Sequence, residues 1–338
     1  MTWDRRTLLL GTGALLVAGC TASRASSTAT STTPSESGSA SATPTPSASS
    51  SSATAAPTSQ APAVAPLPAT HPWSADRNEI QGAVKLVVTR MIETLGSWDT
   101  STSGVAAAGA RLSALGIDPG LASQVAFLLT GGVVAKLQVI DAQYGGLLSS
   151  SASVLVPTRQ WVIGQTGTIT ERGWTFDVRL SAASPAWRVT AINPSDPGAA
   201  AAVDSLATQV LGSSRIDLPP ASRADIASGQ VHDSVLRAML TLAKTYTIGV
   251  SVVRSGHPQY VFGTSRLSDH PRGRAFDTWQ INGVPVVAGS TPRSLVTGYM
   301  LAAAAAGSYN VGGPYVLSGS VYFSDQTHHD HVHAGFNT

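Results

Sequence analysis

The chain contains a single cysteine, Cys20. With no second thiol an intramolecular disulfide is excluded, so any folded region placed outside a reducing compartment depends on packing for its stability. Charge is sparse as well. Lys and Arg number 21 against 19 Asp and Glu, a net charge of +2, and the basic residues form no cluster. Neutralising a phosphate backbone needs such a cluster, so nucleic acid is excluded as a partner. The apolar run from Thr7 to Gly19 is too short to cross a bilayer as a helix, which takes about 20 residues.

That short run has a different meaning. Arg5-Arg6 precede it and small residues close it, the pattern of an export signal. Arg5-Arg6-Thr7-Leu8-Leu9 resembles a twin-arginine signal, with Asp4 where Ser or Thr is usual. Val17-Ala18-Gly19-Cys20 resembles the bacterial lipobox. The resemblance implies cleavage before Cys20 and acylation of its thiol. Residues 1–20 are therefore expected to be a lipoprotein signal, anchoring an exported protein at the outer face of the cytoplasmic membrane or in the cell wall. Residues 21–70 are almost wholly Ser, Thr, Ala and Pro, with Arg24 and Glu36 as charges. Such a segment cannot bury enough apolar surface to offset ordering entropy, and a disordered tether is expected.

From residue 71 the pattern changes. Ile80, Val84, Val87, Met91 and Leu95 recur at helical spacing, and Val105–Leu115 and Leu121–Leu129 follow more loosely. Alternating runs come next, at 134–140, 153–157, 160–163, 174–180 and 187–192. Period two between Gly and Ser breaks predicts an antiparallel sheet with one buried face. Helices followed by a curved sheet are similar in layout to a cystatin-like or nuclear-transport-factor-like cone. Residues 71–197 are read as an accessory domain with no assigned chemistry, and 198–221 as a linker. In 222–338, helical spacing over Ser222–Tyr246, a β-branched run at Ile248–Val253, a strand and turn around Asn282-Gly283, an Ala-rich helix to Ala306 and a last strand over Asp330–Phe336 predict a second α+β domain.

The chemistry concentrates here. Six of the eight histidines lie between His257 and His333. Ser268-Asp-His270-Pro-Arg-Gly273-Arg-Ala275-Phe-Asp277 is followed, after a long gap, by Asp330-His331-Val332-His333. The two segments offer imidazole, carboxylate and imidazole to one ion, with a His and an Asp left over. Three protein ligands and an open fourth position describe a catalytic zinc site, whereas calcium or magnesium would want oxygen throughout. Gly273 permits a tight turn between the two ligands of the first segment.

Ser268-x-His270-x-x-Gly273-x-Ala275-x-Asp277 matches the signature of the D-Ala-D-Ala carboxypeptidase and dipeptidase family, which is grouped with lysostaphin-type endopeptidases and the hedgehog domain. The resemblance covers roughly residues 222–336. It implies Zn2+ held by His270, Asp277 and His333, with peptidoglycan or D-amino-acid-containing peptides as substrate. The family's general base is a Glu three residues before the last His; Asp330 stands there. His331 matches the first His of the His-x-His in the lysostaphin and hedgehog branches, and strand periodicity aims it with His333. Asp330 and His331 are both expected to serve as base or orienting group. Arg254-Ser255-x-x-x-Gln259 resembles a further family segment, which implies Arg254 as a catalytic carboxylate or oxyanion holder and Ser268 and Gln259 as substrate-binding residues. A zinc-dependent metallopeptidase is the leading expectation. A non-catalytic, hedgehog-like zinc module that binds cell-wall or protein partners is the alternative.

Overall fold

The computed structural model describes residues 66–184, 186–287 and 291–337. The stretch expected to be an export signal, Cys20 and most of 21–70 lie outside the described residues. No helix among the described residues is long and apolar enough to cross a membrane.

The first half begins with α1 (Gly82–Gly96), whose Val84, Val88, Met91, Ile92 and Leu95 form one buried stripe. After β1 (Trp98–Asp99) come α2 (Gly104–Ala114) and a 3-10 helix (Pro119–Leu129), which is kinked at Val125. Six strands follow: β2 (Val134–Val139), β3 (Gln143–Leu147), β4 (Ser151–Ile163), β5 (Ile169–Arg172), β6 (Thr175–Ser181) and β7 (Arg188–Pro194). Every pairing in this sheet is antiparallel. β4 is one long strand where the sequence pattern gave two. Its first part lies between β3 and β6 and its last part between β2 and β5. Pro157, which cannot donate to a ladder, sits where the strand changes neighbours. The helices and one face of this sheet enclose the first apolar core.

The second half has its own core. It contains α3 (Ser205–Gly212), β8 (Ile216–Asp217), α4 (Pro220–Ala227), α5 (Asp233–Ala243), β9 (Ile248–Val250), β10 (Ala275–Ile281), β11 (Val284–Pro285), α6 (Arg293–Ala305), β12 (Asn310–Gly312), β13 (Tyr322–Phe323) and β14 (Val332–Gly335). The strand order is β13-β12-β14-β10-β9-β8, with β11 attached to β10. β10 and β11 meet at Asn282-Gly283, both at positive φ, as a tight hairpin demands. This sheet is mixed, since β8–β9 and β12–β13 run parallel. The stretch read as a linker, 198–221, carries α3 and β8, and its Ala207, Val210, Ile216 and Leu218 lie in the second core. Composition misled there, because the Pro-Gly-Ala run ends before α3 begins. The chain is α+β, with two sheets and two cores inside one compact unit, Ala61–Thr338.

Candidate metal centre

Two adjacent strands and a turn converge on one point. The register of β10 with β14 sets Asp277 directly opposite His333. Opposed residues of an antiparallel pair share a face, so the two side chains leave the sheet together. His270 arrives from a turn closed by Gly273 N–H donating to His270 O at 2.8 Å. Gly273 has φ +67°, and Gln230 O lies 2.0 Å from where a Cβ would stand. Glycine is required there both for backbone conformation and for space.

His270 Nε2 stands 3.1 Å from Asp277 Oδ1 and 3.1 Å from His333 Nδ1, and the latter two atoms are 3.0 Å apart. All three residues are buried. His270 Nδ1 lies 2.8 Å from Val253 O. A carbonyl only accepts, so Nδ1 carries a proton and Nε2 is the ring atom turned to the triangle. Nε2 meets a carboxylate oxygen and another imidazole nitrogen, and a shared proton or a metal cation satisfies that arrangement. Three donors bound at about 2.1 Å to a tetrahedral ion stand roughly 3.4 Å apart. The observed triangle fits that requirement after opening by a few tenths of an ångström.

A second grouping, His257 with His270 and Asp277, brings donors within 4.8 Å of one another. The His257 ring stacks on His270 at 4.2 Å and 16°. Imidazole lone pairs lie in the ring plane, and nearly parallel stacked planes do not meet at one ion. His257 is therefore a wall against His270, and the triangle with His333 is the better site.

A third grouping, Glu79, His329 and Asp330, differs in kind. Lys85, fully buried on α1, places its ammonium between Glu79 Oε2 and Asp330 Oδ2, the latter at 2.5 Å. This cluster already contains its cation. Tyr144 N–H also donates to Asp330 Oδ2, at 3.2 Å. Asp330 Oδ1 accepts from His331 Nδ1 at 2.5 Å, which leaves His331 Nε2 on the other side of the ring, 3.8 Å from Asp277 Oδ2.

These contacts set the protonation states. Burial opposes ionisation of Asp330, but Lys85 and His331 overcome it and hold its pKa well below the ordinary carboxylate range. Burial likewise opposes ionisation of Asp277, while His270 and His331 hold its pKa well below the usual value. Burial lowers His333 to about 4 despite Asp277, leaving it neutral and able to ligate. Burial lowers His331 too, yet Asp277, Asp330 and Asp141 outweigh it and raise the imidazole to about 9. A divalent ion in the triangle acts in the opposite direction on that ring.

The triangle and His331 line a cavity of about 580 Å³, together with Tyr144, Phe262, Ser268, Phe323 and His328. A volume of that order suits a small-molecule or peptide segment. Of the residues expected at the site, His270, Asp277, His331, His333 and Ser268 come together there. Ser268 Oγ also accepts the His270 N–H, at 3.4 Å. Asp330 does not line the cavity; both its oxygens are engaged behind His331. The expectation that it shares the role of base gives way to one of support. Arg254 is not at the cavity either. Its Nη2 donates to Pro197 O at 2.6 Å, and Asp225 accepts from its backbone N–H at 2.9 Å. The buried Asp225 carboxylate turns this segment away. Gln259 is exposed and touches the site only through its carbonyl, which accepts from Ser268 N–H. Arg266 is the one Lys or Arg lining the cavity among the described residues.

Sequence reasoning missed the contribution of the first half: Glu79, Lys85, Asp141, Gln143 and Tyr144 all lie at or behind the site. A Lys within the apolar stripe of α1 was the one available signal. Comparison with family models, curated proteins and solved structures gives no match.

Proposed function

We propose that the protein is a zinc-dependent peptidase that hydrolyses peptidoglycan stem peptides at the cell envelope, tethered there through a lipid on Cys20. The observation that carries this reading is the donor triangle of His270 Nε2, Asp277 Oδ1 and His333 Nδ1 with His331 beside it on a cavity. Two imidazoles and one carboxylate are the ligand chemistry of a catalytic zinc. When bound, the ion supplies Lewis acidity and lowers the pKa of water. The chain's own residues do the rest. With a divalent ion lowering its pKa, a neutral His331 would take a proton at Nε2 from the attacking water and return it to the leaving amine. Asp330 fixes the ring through Nδ1 and stabilises the imidazolium. The resemblance of the Ser268–Asp277 signature to the D-Ala-D-Ala carboxypeptidases supports the substrate class.

The alternative is a non-catalytic, hedgehog-like zinc module. The position of Arg254, away from the cavity, favours it, because no guanidinium from that segment reaches a substrate carboxylate. One experiment separates the two readings. Zinc-loaded protein is incubated with peptidoglycan and with D-Ala-D-Ala peptides, and products are followed by chromatography and mass spectrometry. The peptidase reading expects cleavage that falls by about 10²–10⁴-fold in His331→Ala, with zinc retained. Zinc-loaded protein that leaves both substrates intact, or a variant as active as the parent, contradicts it.

A further inference from the structure

The first half of the folded chain reaches the donor triangle through one strand. Gln143 begins β3, and its side chain crosses into the second half, where Nε2 donates to Asp277 Oδ2 at 2.6 Å. Its Oε1 accepts from Ser251 Oγ. Gln143 and Ser251 are fully buried and Asp277 is 1 % exposed. The amide orientation follows from this chain of bonds, since turning it over would press Oε1 against the carboxylate and leave the serine hydroxyl facing an NH₂. The two Asp277 oxygens thus have separate tasks: Oδ2 is held by the amide, and Oδ1 faces His270 and His333.

The same division recurs at the second carboxylate. Lys85 and Tyr144 N–H, both from the first half, take Asp330 Oδ2, and Oδ1 is left for His331. In each case the first half holds the far oxygen and the second half presents the near one. Packing alone has no reason to repeat this pattern at two acids.

We propose that Gln143 is a positioning residue of the metal site, fixing Asp277 for one-oxygen ligation, so that the first half of the chain completes a site whose ligands all belong to the second. This rests on reading the triangle as a metal centre. Groups that orient a ligand in this way typically contribute about 10- to 100-fold to metal affinity.

The test uses the whole folded chain, with zinc affinity measured by competition against a chromophoric chelator and the visible spectrum of the Co2+ form recorded alongside. Gln143→Ala is expected to weaken zinc by about 10- to 100-fold and to alter the Co2+ bands. Gln143→Glu, of the same shape but facing one carboxylate with another, is expected to weaken it as well. Gln160→Ala is the control for stability. Gln160 is an equally buried glutamine of the first half that donates to Gly96 O and Leu128 O, away from the site. It should leave affinity and spectrum at the parent's values. A Gln143→Ala protein with parental affinity and bands overturns the proposal, and so does a Gln160→Ala protein that loses as much. A parent that binds no stoichiometric zinc overturns the metal reading beneath it and is distinguished by that fact alone.

Discussion

Two clusters of histidine and carboxylate lie side by side in this molecule, and they differ in one respect. At Asp277 the facing atoms are a carboxylate oxygen and two imidazole nitrogens, with no cation among them. At Asp330 the carboxylates face the ammonium of Lys85. A roll of ligand-type residues would rank the two alike. What separates them is the lysine ammonium seated directly between two carboxylates at the second, where the first brings two imidazole nitrogens and one carboxylate oxygen to a single point. On the proposed reading the roles differ accordingly: the first cluster binds an ion, and the second holds His331 toward it.

Several substitutions would break this comparison, and the largest effect belongs to the ligands. Asp277→Ala removes the only negative donor of the triangle, and zinc affinity should fall by more than the about 100-fold ascribed to an outer-shell group, measured as metal content after dialysis. Lys85→Met strips the second cluster of its ammonium and leaves Asp330 and Glu79 buried with only their remaining histidine and backbone partners. Breaking a buried pair in this way costs about 3–5 kcal/mol, read from denaturant unfolding. Lys85→Met combined with Asp330→Asn should recover part of that loss. Stability unchanged in Lys85→Met would show that the cluster does not depend on its lysine.

The smallest effect concerns Asp141, the surplus acid of the second cluster. Burial raises its pKa to about 7, with Asp330 and Glu79 adding to the shift and Lys85 opposing it. The unfolded value is about 3.9. A carboxyl whose folded pKa is raised favours the folded state below its unfolded pKa, and that contribution is lost as pH rises toward the folded pKa. Asp141→Asn should therefore flatten the pH dependence of stability between about pH 4 and 7 and stabilise the protein above that window. Melting curves across that range check the sign.

Much of the second half was legible because its chemistry is local. His270, Gly273 and Asp277 sit within one short segment, and strand alternation aimed His331 and His333 together. The helices around Met91 and Met239 followed from apolar spacing. Other features were illegible for identifiable reasons. β3 reads Gln-Tyr-Gly-Gly-Leu, where two glycines remove the alternation that marks a strand, so the element carrying Gln143 left no trace. Lys85 was masked by the apolar residues around it. Arg254 stands next to recognisable residues, yet Asp225, buried and 29 positions earlier, decides where it goes. Glu79, Lys85 and Asp330 lie up to 251 positions apart (79 to 330) and meet only once both sheets have formed.

Anomalous diffraction at the zinc edge, on crystals grown with zinc, tests the comparison most directly. One ion should appear within bonding distance of His270 Nε2, Asp277 Oδ1 and His333 Nδ1, with Gln143 still on Asp277 Oδ2 and no ion beside Lys85. An ion seated among Glu79, His329 and Asp330, or no ion at the triangle, would contradict the account.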